Sequence, residues 1–322
     1  MFLIFVQRPK IDLLNSICKD KKKHITLTMS YQNIEEYFTQ FPDDVETITI
    51  HCKTDHLPDL SRFCKLKKLK CCNNELTSLP PLPSTLIELC CFYNQITYLP
   101  PLPSTLEYLY CTKNQLTSLP LLPSTLKGLC CNNNQLTSLP PLPSVLKSLY
   151  CYRNQLACLP PLPSTLELLH CDSNKLTHLP PLPSTLKTLV CNSNQFTRLP
   201  PLPSSLQLLN CAINQLTCLP LLPSALEIFY FNNNPILDYY IKPDASLFMV
   251  DYMTKLRNQI EIINQFRELF HALKCKKQFI KWLWHIREPK IRNRYHPNNL
   301  MALLEGKEES TLDELDELLE KW

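Results

Sequence analysis

The chain has 322 residues, 44% hydrophobic and 19% charged, with 33 Lys or Arg against 29 Asp or Glu and a formal net charge of +4. That balance fits a folded chain and gives no general reason to expect nucleic acid as a partner. Gly128 and Gly306 are the only glycines, which excludes the loops that cradle phosphates or dinucleotides, since those need positive φ or close backbone approach at several positions.

Met1 to Val6 is apolar for six residues before Gln7, Arg8 and Pro9. A signal peptide has a charged start, a longer apolar run and small residues at its cleavage point. No run approaches the ~18 residues of a membrane span, so a cytoplasmic chain is expected, not secreted by a signal peptide and not bound to a membrane. Lys19 to Lys23 reads as a solvated charged loop, and residues 1–28 as an N-terminal extension, dispensable or disordered, with Met29 as the alternative start. From Tyr31 to Phe41, Ile34, Tyr37, Phe38 and Phe41 share one helical face. Val45, Ile48 and Ile50 follow with strand alternation, and Leu57-Pro58 with Leu60 introduces a phrase repeated later. Residues 29–65 are therefore expected to be an N-terminal cap, with 45–65 a degenerate first rung, because terminal repeats drift from consensus.

Residues 66–235 say nearly the same twenty-residue phrase nine times, with an asparagine at Asn74, Asn94, Asn114, Asn134, Asn154, Asn174, Asn194, Asn214 and Asn234. In one copy, Leu89 and Cys91 point to one face of a short strand and Cys90 and Phe92 to the other, since side chains alternate with period two. Asn94 sits where the chain leaves the strand, placed to bond turn backbone and to reach along the stack. Pro100, Pro101 and Pro103 forbid helix on the return and predict extended, polyproline-like backbone. Eight of the 17 cysteines, from Cys71 to Cys211, occupy one repeat position. They read as buried, reduced, small apolar side chains rather than as a disulfide framework.

The pattern L-x-x-L-x-C-x-x-N-x-L-x-x-L-P-x-L-P resembles the leucine-rich repeat family, with a period at the short end of its range. Its proline-rich half is similar to the repeats of bacterial secreted effectors and of giant DNA viruses (mimivirus-like). The resemblance implies a repeat solenoid with a parallel β-sheet on its concave face, an extended proline-rich convex side and helical caps. It also implies a viral protein acting in the host cytoplasm through protein contacts.

After Asn234-Pro235 the repeat ends, and residues 236–322 are expected to form a helical C-terminal domain. Tyr252, Leu256, Ile260, Ile263, Phe266, Phe270 and Leu273 recur at helical spacing. Further helices are expected over 277–287, 298–304 and 311–322. Residues 251–296 carry eleven cations against four acids, and 305–322 eight acids against two lysines, so the last helix either folds back on the basic ones or stays solvated. Trp282 to Pro289 and Tyr295 to Leu300 look like a segment found on repeat proteins of giant viruses. Trp282, Trp284 and Trp322 are expected to cover the solenoid end.

The positions projecting from the concave face are where the copies differ most, while the Leu-Pro back is almost constant. The proposed protein contact surface comprises Phe92, Tyr108, Tyr110, Tyr150, Tyr152, His170, Asp172 and Tyr230, since aromatic anchors dominate protein interfaces. Other readings are a structural or virion component with no specific ligand, and an effector-like ubiquitin ligase using Cys275, which the effector resemblance suggests. No cofactor and no metal are expected: Cys72 and Cys90 approach each other, but four converging ligands are not supplied. His170 and Asp172 lack a nucleophile obliged to join them, so the chain is read as a non-enzymatic, monomeric binding module.

Overall fold

The computed structural model describes residues 24–27, 34–39, 41–50 and 53–235, and positions 254, 257, 258, 260–262, 264 and 265. Its contacts divide the chain into two units, Met1–Ile260 and Glu261–Trp322. The first is built on a sheet of eleven strands in sequence order, every neighbouring pair parallel. These are β1 (His24–Leu27), β2 (Thr47–Ile50), β3 (Lys68–Lys70), β4 (Glu88–Cys90), β5 (Tyr108–Tyr110), β6 (Gly128–Cys130), β7 (Ser148–Tyr150), β8 (Leu168–His170), β9 (Thr188–Val190), β10 (Leu208–Asn210) and β11 (Ile228–Tyr230), with one helix, α1 (Ile34–Thr39), between β1 and β2. Register advances by twenty residues per strand from β3 to β11, so that Leu89 stands beside Leu69 and Leu109.

Each rung buries the same side chains because the same spacing returns them to the same place. Leu86, Leu89, Cys91 and Ile96 are fully buried, as are Leu106, Leu109, Cys111 and Leu116 one rung on. A buried leucine contributes about 1.5–3 kcal/mol, and here it does so against neighbouring rungs, so each turn is stable only as part of the stack. The return half is extended as its prolines require, and a turn is closed where Leu106 N–H donates to Pro103 O at 3.1 Å. Pro101, on the outer side, is exposed.

Two ladders of polar side chains hold the rungs together. Asn114 Nδ2 donates to Cys91 O at 3.0 Å and Cys111 O at 3.1 Å, while its Oδ1 accepts from Ile96 N–H at 3.0 Å. One side chain thereby satisfies three buried backbone groups on two rungs, and the pattern recurs at Asn134, Asn154 and Asn194, while Asn74 donates to Ile50 O and Cys72 O with its Oδ1 left without a partner among the described residues. The residue before each asparagine adopts a left-handed conformation, φ 51–57° at nine positions from Asn73 to Asn233. At the proline turn a hydroxyl does the second job: Thr105 Oγ1 bridges Ser84 O at 2.7 Å and Leu86 O at 2.8 Å. Thr125, Thr165, Thr185 and Ser205 repeat this bridge.

The N-terminal end differs from expectation. The helix expected to close the array instead connects two strands of the sheet, and β1 adds a rung inside the 1–28 segment expected to stand apart. The reason is burial: Ile34, Phe38 and Phe41 are covered, with Phe38 against Phe41 at 5.2 Å and against Phe63 at 6.1 Å between ring centroids. Within 45–65, β2 pairs with β3, and its Ile48 and Ile50 are fully buried, as is Val45 just before it. Residues 1–23, most of the expected C-terminal helices, and Trp282, Trp284 and Trp322 lie outside the described residues. No described helix is long and apolar enough to cross a membrane.

At the other end, the carbonyls that a following hydroxyl would bridge accept from a different donor. Arg257 Nη2 lies 3.3 Å from Ser224 O and 3.1 Å from Leu226 O, and also 3.2 Å from Pro223 O. The guanidinium thus takes the place of a hydroxyl at the last rung, after Ala225 leaves the preceding corner without one.

Candidate surface on the open sheet face

Alternation along each strand places Leu89 and its equivalents in the core and the residues on either side on the open face. The expected contact residues are found there. Tyr108 is 36% exposed, and Phe92, Tyr110, Tyr150, Tyr152, His170, Asp172 and Tyr230 are half-buried. They do not form one continuous cluster. Tyr108 and Tyr110 lie parallel, planes 5° apart and centroids 6.4 Å apart, and Tyr150 packs on His170 at 4.9 Å. Phe92 turns instead to Tyr93, edge to face at 5.8 Å. Tyr230 stands at β11, separated from His170 by β9 and β10.

Gly128 explains how the central tyrosines sit. A Cβ at that position would lie 3.1 Å from Tyr108 Cδ1 and 3.3 Å from Ser148 Oγ. The bare backbone of β6 is therefore the space into which the Tyr108 ring leans. The repeat array has no other glycine, and that was the one sequence signal for this feature. Tyr93 and Lys113 were not expected at the surface site: Lys113 Nζ lies 4.0 Å from the Tyr93 ring centre and 2.6 Å from its hydroxyl. Their positions differ from copy to copy, so periodicity gave no pointer to them. Asn132, in the turn after β6, accepts through its Oδ1 from Thr112 Oγ1 at 2.8 Å.

Ionisable groups on this face are tuned by burial. Loss of water lowers the His170 pKa to about 4, leaving a neutral aromatic ring at pH 7. Loss of water also raises Asp172 to about 6, against the opposing pull of a backbone hydrogen bond and of Arg153. His170 and Asp172 are not hydrogen-bonded to each other, and no nucleophile is poised beside them among the described residues. Tyr110 and Tyr150 are shifted upward by the same desolvation. Charged pairs flank the aromatic stretch, with Lys68 to Glu88 at 3.0 Å, Lys127 to Glu107 at 2.8 Å and Lys187 to Glu167 at 2.8 Å. A shallow hollow of about 350 Å³ lies among Lys147, Ser148, Glu167, Leu168, Lys187, Thr188 and Gln207, and none of the expected contact residues lines it.

The repeat-position cysteines are fully buried free thiols, raised well above the ordinary range by loss of water. Cys72 Sγ donates to Cys90 O at 3.3 Å, a backbone contact rather than a ligand set. No group of three potential metal ligands gathers among the described residues. Cys275 lies outside them.

A family profile described as "Leucine Rich repeats (2 copies)" matches residues 124–164, and no curated protein matches the chain. Among solved structures, the chain is similar to YopM from Yersinia enterocolitica WA-314, 31% identical with TM-score 0.54 over 64% of this chain and 50% of that one. It is also similar to YopM from Yersinia pestis, described as a leucine-rich effector protein, 32% identical with TM-score 0.57 over 61% of this chain and 56% of that one. A Shigella effector leucine-rich repeat domain is 38% identical over 39% of this chain and 58% of that one, with TM-score 0.38. The chain thus spans about half the length of the Yersinia proteins. Strand order, constant rung length, the repeat profile and the likeness to the two Yersinia structures agree: the repeat array has the fold of a leucine-rich repeat solenoid.

Proposed function

We propose that this chain is a non-enzymatic protein-binding module whose partner docks on the open face of the sheet, across Phe92, Tyr108, Tyr110, Tyr150, Tyr152, His170, Asp172 and Tyr230. One observation carries the reading. Side chains in the interior and at the ladders are nearly invariant from rung to rung, whereas the open face changes residue by residue and keeps large aromatics partly in water. Tyrosine supplies broad contact area at low entropy cost, and interface energy concentrates on such anchors. The buried thiols fit a reducing, cytoplasmic setting. The Yersinia pestis protein's description as an effector suits a chain that acts by contact.

The test is affinity capture with the chain as bait, comparing wild type with a Tyr108→Ala, Tyr110→Ala, Tyr150→Ala triple variant. Far-UV circular dichroism should be unchanged and specific capture lost. Identical capture profiles for a folded triple variant would remove the open face as the binding surface.

A further inference from the structure

Resting on the reading of the open face as a contact surface, we propose that its central aromatic stretch, Tyr108, Tyr110, Tyr150 and His170, docks a proline-rich segment in the polyproline II conformation with a basic residue following its prolines.

The first reason is periodic. Polyproline II has three residues per turn and a rise of ~3.1 Å, hence equivalent positions every ~9.3 Å. β5 and β7 are two strands apart, about 9.6 Å at the usual strand spacing. A proline helix running across the strands would therefore present one ring to Tyr108 and Tyr110 and the equivalent ring, one turn later, to Tyr150 and His170. The strand between carries Gly128, over which the Tyr108 ring leans, and Cys130.

The second reason is chemical. A polyproline helix has no internal hydrogen bonds, so its carbonyls need donors, which the tyrosine hydroxyls of Tyr108, Tyr110 and Tyr150 can supply. Its rings need apolar, flat surfaces, which the parallel Tyr108 and Tyr110 planes and the Tyr150–His170 pair provide.

Charge supplies the third reason and a direction. From β5 to β7 the open-face positions carry no ionisable side chain of charged type: they are Tyr108, Tyr110, Thr112, Gly128, Cys130, Asn132, Ser148, Tyr150 and Tyr152. The next rung bears Asp172, half-buried, with Arg153 and a hydrogen bond from Ser173 both favouring its carboxylate. A neutral proline run over β5–β7 followed by a cation over β8 matches that order, whereas an acidic segment would meet Asp172 unfavourably. Lys113, in the turn after β5, is engaged with Tyr93.

The experiment is fluorescence anisotropy of a labelled proline-rich peptide ending in an arginine pair, titrated with the full chain. Controls are a Gly/Ser peptide with the same arginines and the proline peptide ending in glutamates. Binding should be saturable and at least roughly tenfold tighter for the first peptide than for either control. Tyr108→Ala with Tyr150→Ala should weaken it roughly tenfold or more. Gly128→Val, which forces the Tyr108 ring out of its place, should weaken it with the far-UV spectrum intact. Asp172→Asn should erase the preference for arginine over glutamate and keep the preference for proline. Equal binding by the Gly/Ser peptide, or indifference to the tyrosine changes, overturns the proposal. If the proline peptide fails while protein capture still depends on the tyrosines, the partner class is wrong and the contact surface stands; if both fail, the surface itself is wrong.

Discussion

Replacing Asn114 by alanine removes one side chain and strands three backbone groups. The lost contacts are Nδ2 to Cys91 O and Cys111 O and Oδ1 to Ile96 N–H, all 3.0–3.1 Å. Asn114 is 9% exposed, so water cannot simply replace it. A buried group left without its partner costs about 1–3 kcal/mol, and with partial relaxation the three together should cost about 3–5 kcal/mol. That is at the top of the range for single substitutions. Asn114→Asp is the sharper version: the acceptor for Ile96 survives, but a carboxylate then faces two carbonyls, and the loss should equal or exceed that of alanine. Equilibrium urea unfolding followed by circular dichroism measures both, with Gln115→Ala on the exposed neighbour expected within about 0.5 kcal/mol of wild type. Because rungs couple only to neighbours, the Asn114 variants should also broaden the transition or split it near the middle of the array. A loss below about 1 kcal/mol for Asn114→Ala would refute the view that this ladder holds the rungs together.

Val145 interrupts the hydroxyl ladder and is 38% exposed, so Val145→Thr should bridge Ser124 O and Leu126 O as its neighbours do and raise stability by about 0.5–1.5 kcal/mol in the same urea assay. Ile213 is a β-branched residue at φ 53° and 50% exposed; Ile213→Asn should stabilise by about 1 kcal/mol by relieving a left-handed conformation that branched residues resist. Arg257→Ala removes the donor that ends the hydroxyl ladder and should cost about 1.5–3 kcal/mol, read as a lower urea midpoint. For Asp172, the folded pKa of about 6 lies above the ordinary 3.8, so its protonated form is the one favoured by folding. The stability it contributes is complete below pH 4 and is lost as pH rises through 6, by at most about 3 kcal/mol. Asp172→Asn should accordingly be more stable than wild type at pH 7 and converge with it near pH 4; a constant difference across that window would count against a buried carboxylate.

The sheet and its core were legible because a period of twenty, unbroken from Asn74 to Asn234, leaves each residue one place to go. The asparagine's role could be read for the same reason: its position follows the strand and its amide is both donor and acceptor. Other features have no periodic signature. The left-handed position is held by Tyr93, Lys113, Arg153 and Ile213 as well as by Asn73, so residue type does not betray it. The threonine ladder has no signature of its own, because Ser-Thr before leucine reads equally well as an ordinary turn. β1 escaped notice because it occurs once, with no copy to compare. On the open face, alternation told which residues emerge but not which rings meet. That depends on neighbour size, as with Tyr108 leaning over Gly128.

This division of labour has a consequence for how such a surface can change. The buried bonds that recur from rung to rung are made by backbone, by the asparagine inside the turn and by the hydroxyl at the proline corner. None requires Tyr108, Tyr110, Tyr150 or His170. The open-face side chains add ring contacts and bury some area, but the rungs stay in register without them. Substitutions there should therefore be felt in partner affinity well before they are felt in folding, since contributions of residues that share no partner are close to additive. Gly128 is the exception on that face, because the room it leaves positions Tyr108. An added side chain at Gly128 would leave the ladders intact yet rearrange the surface, separating the two properties more cleanly than removal of a tyrosine does.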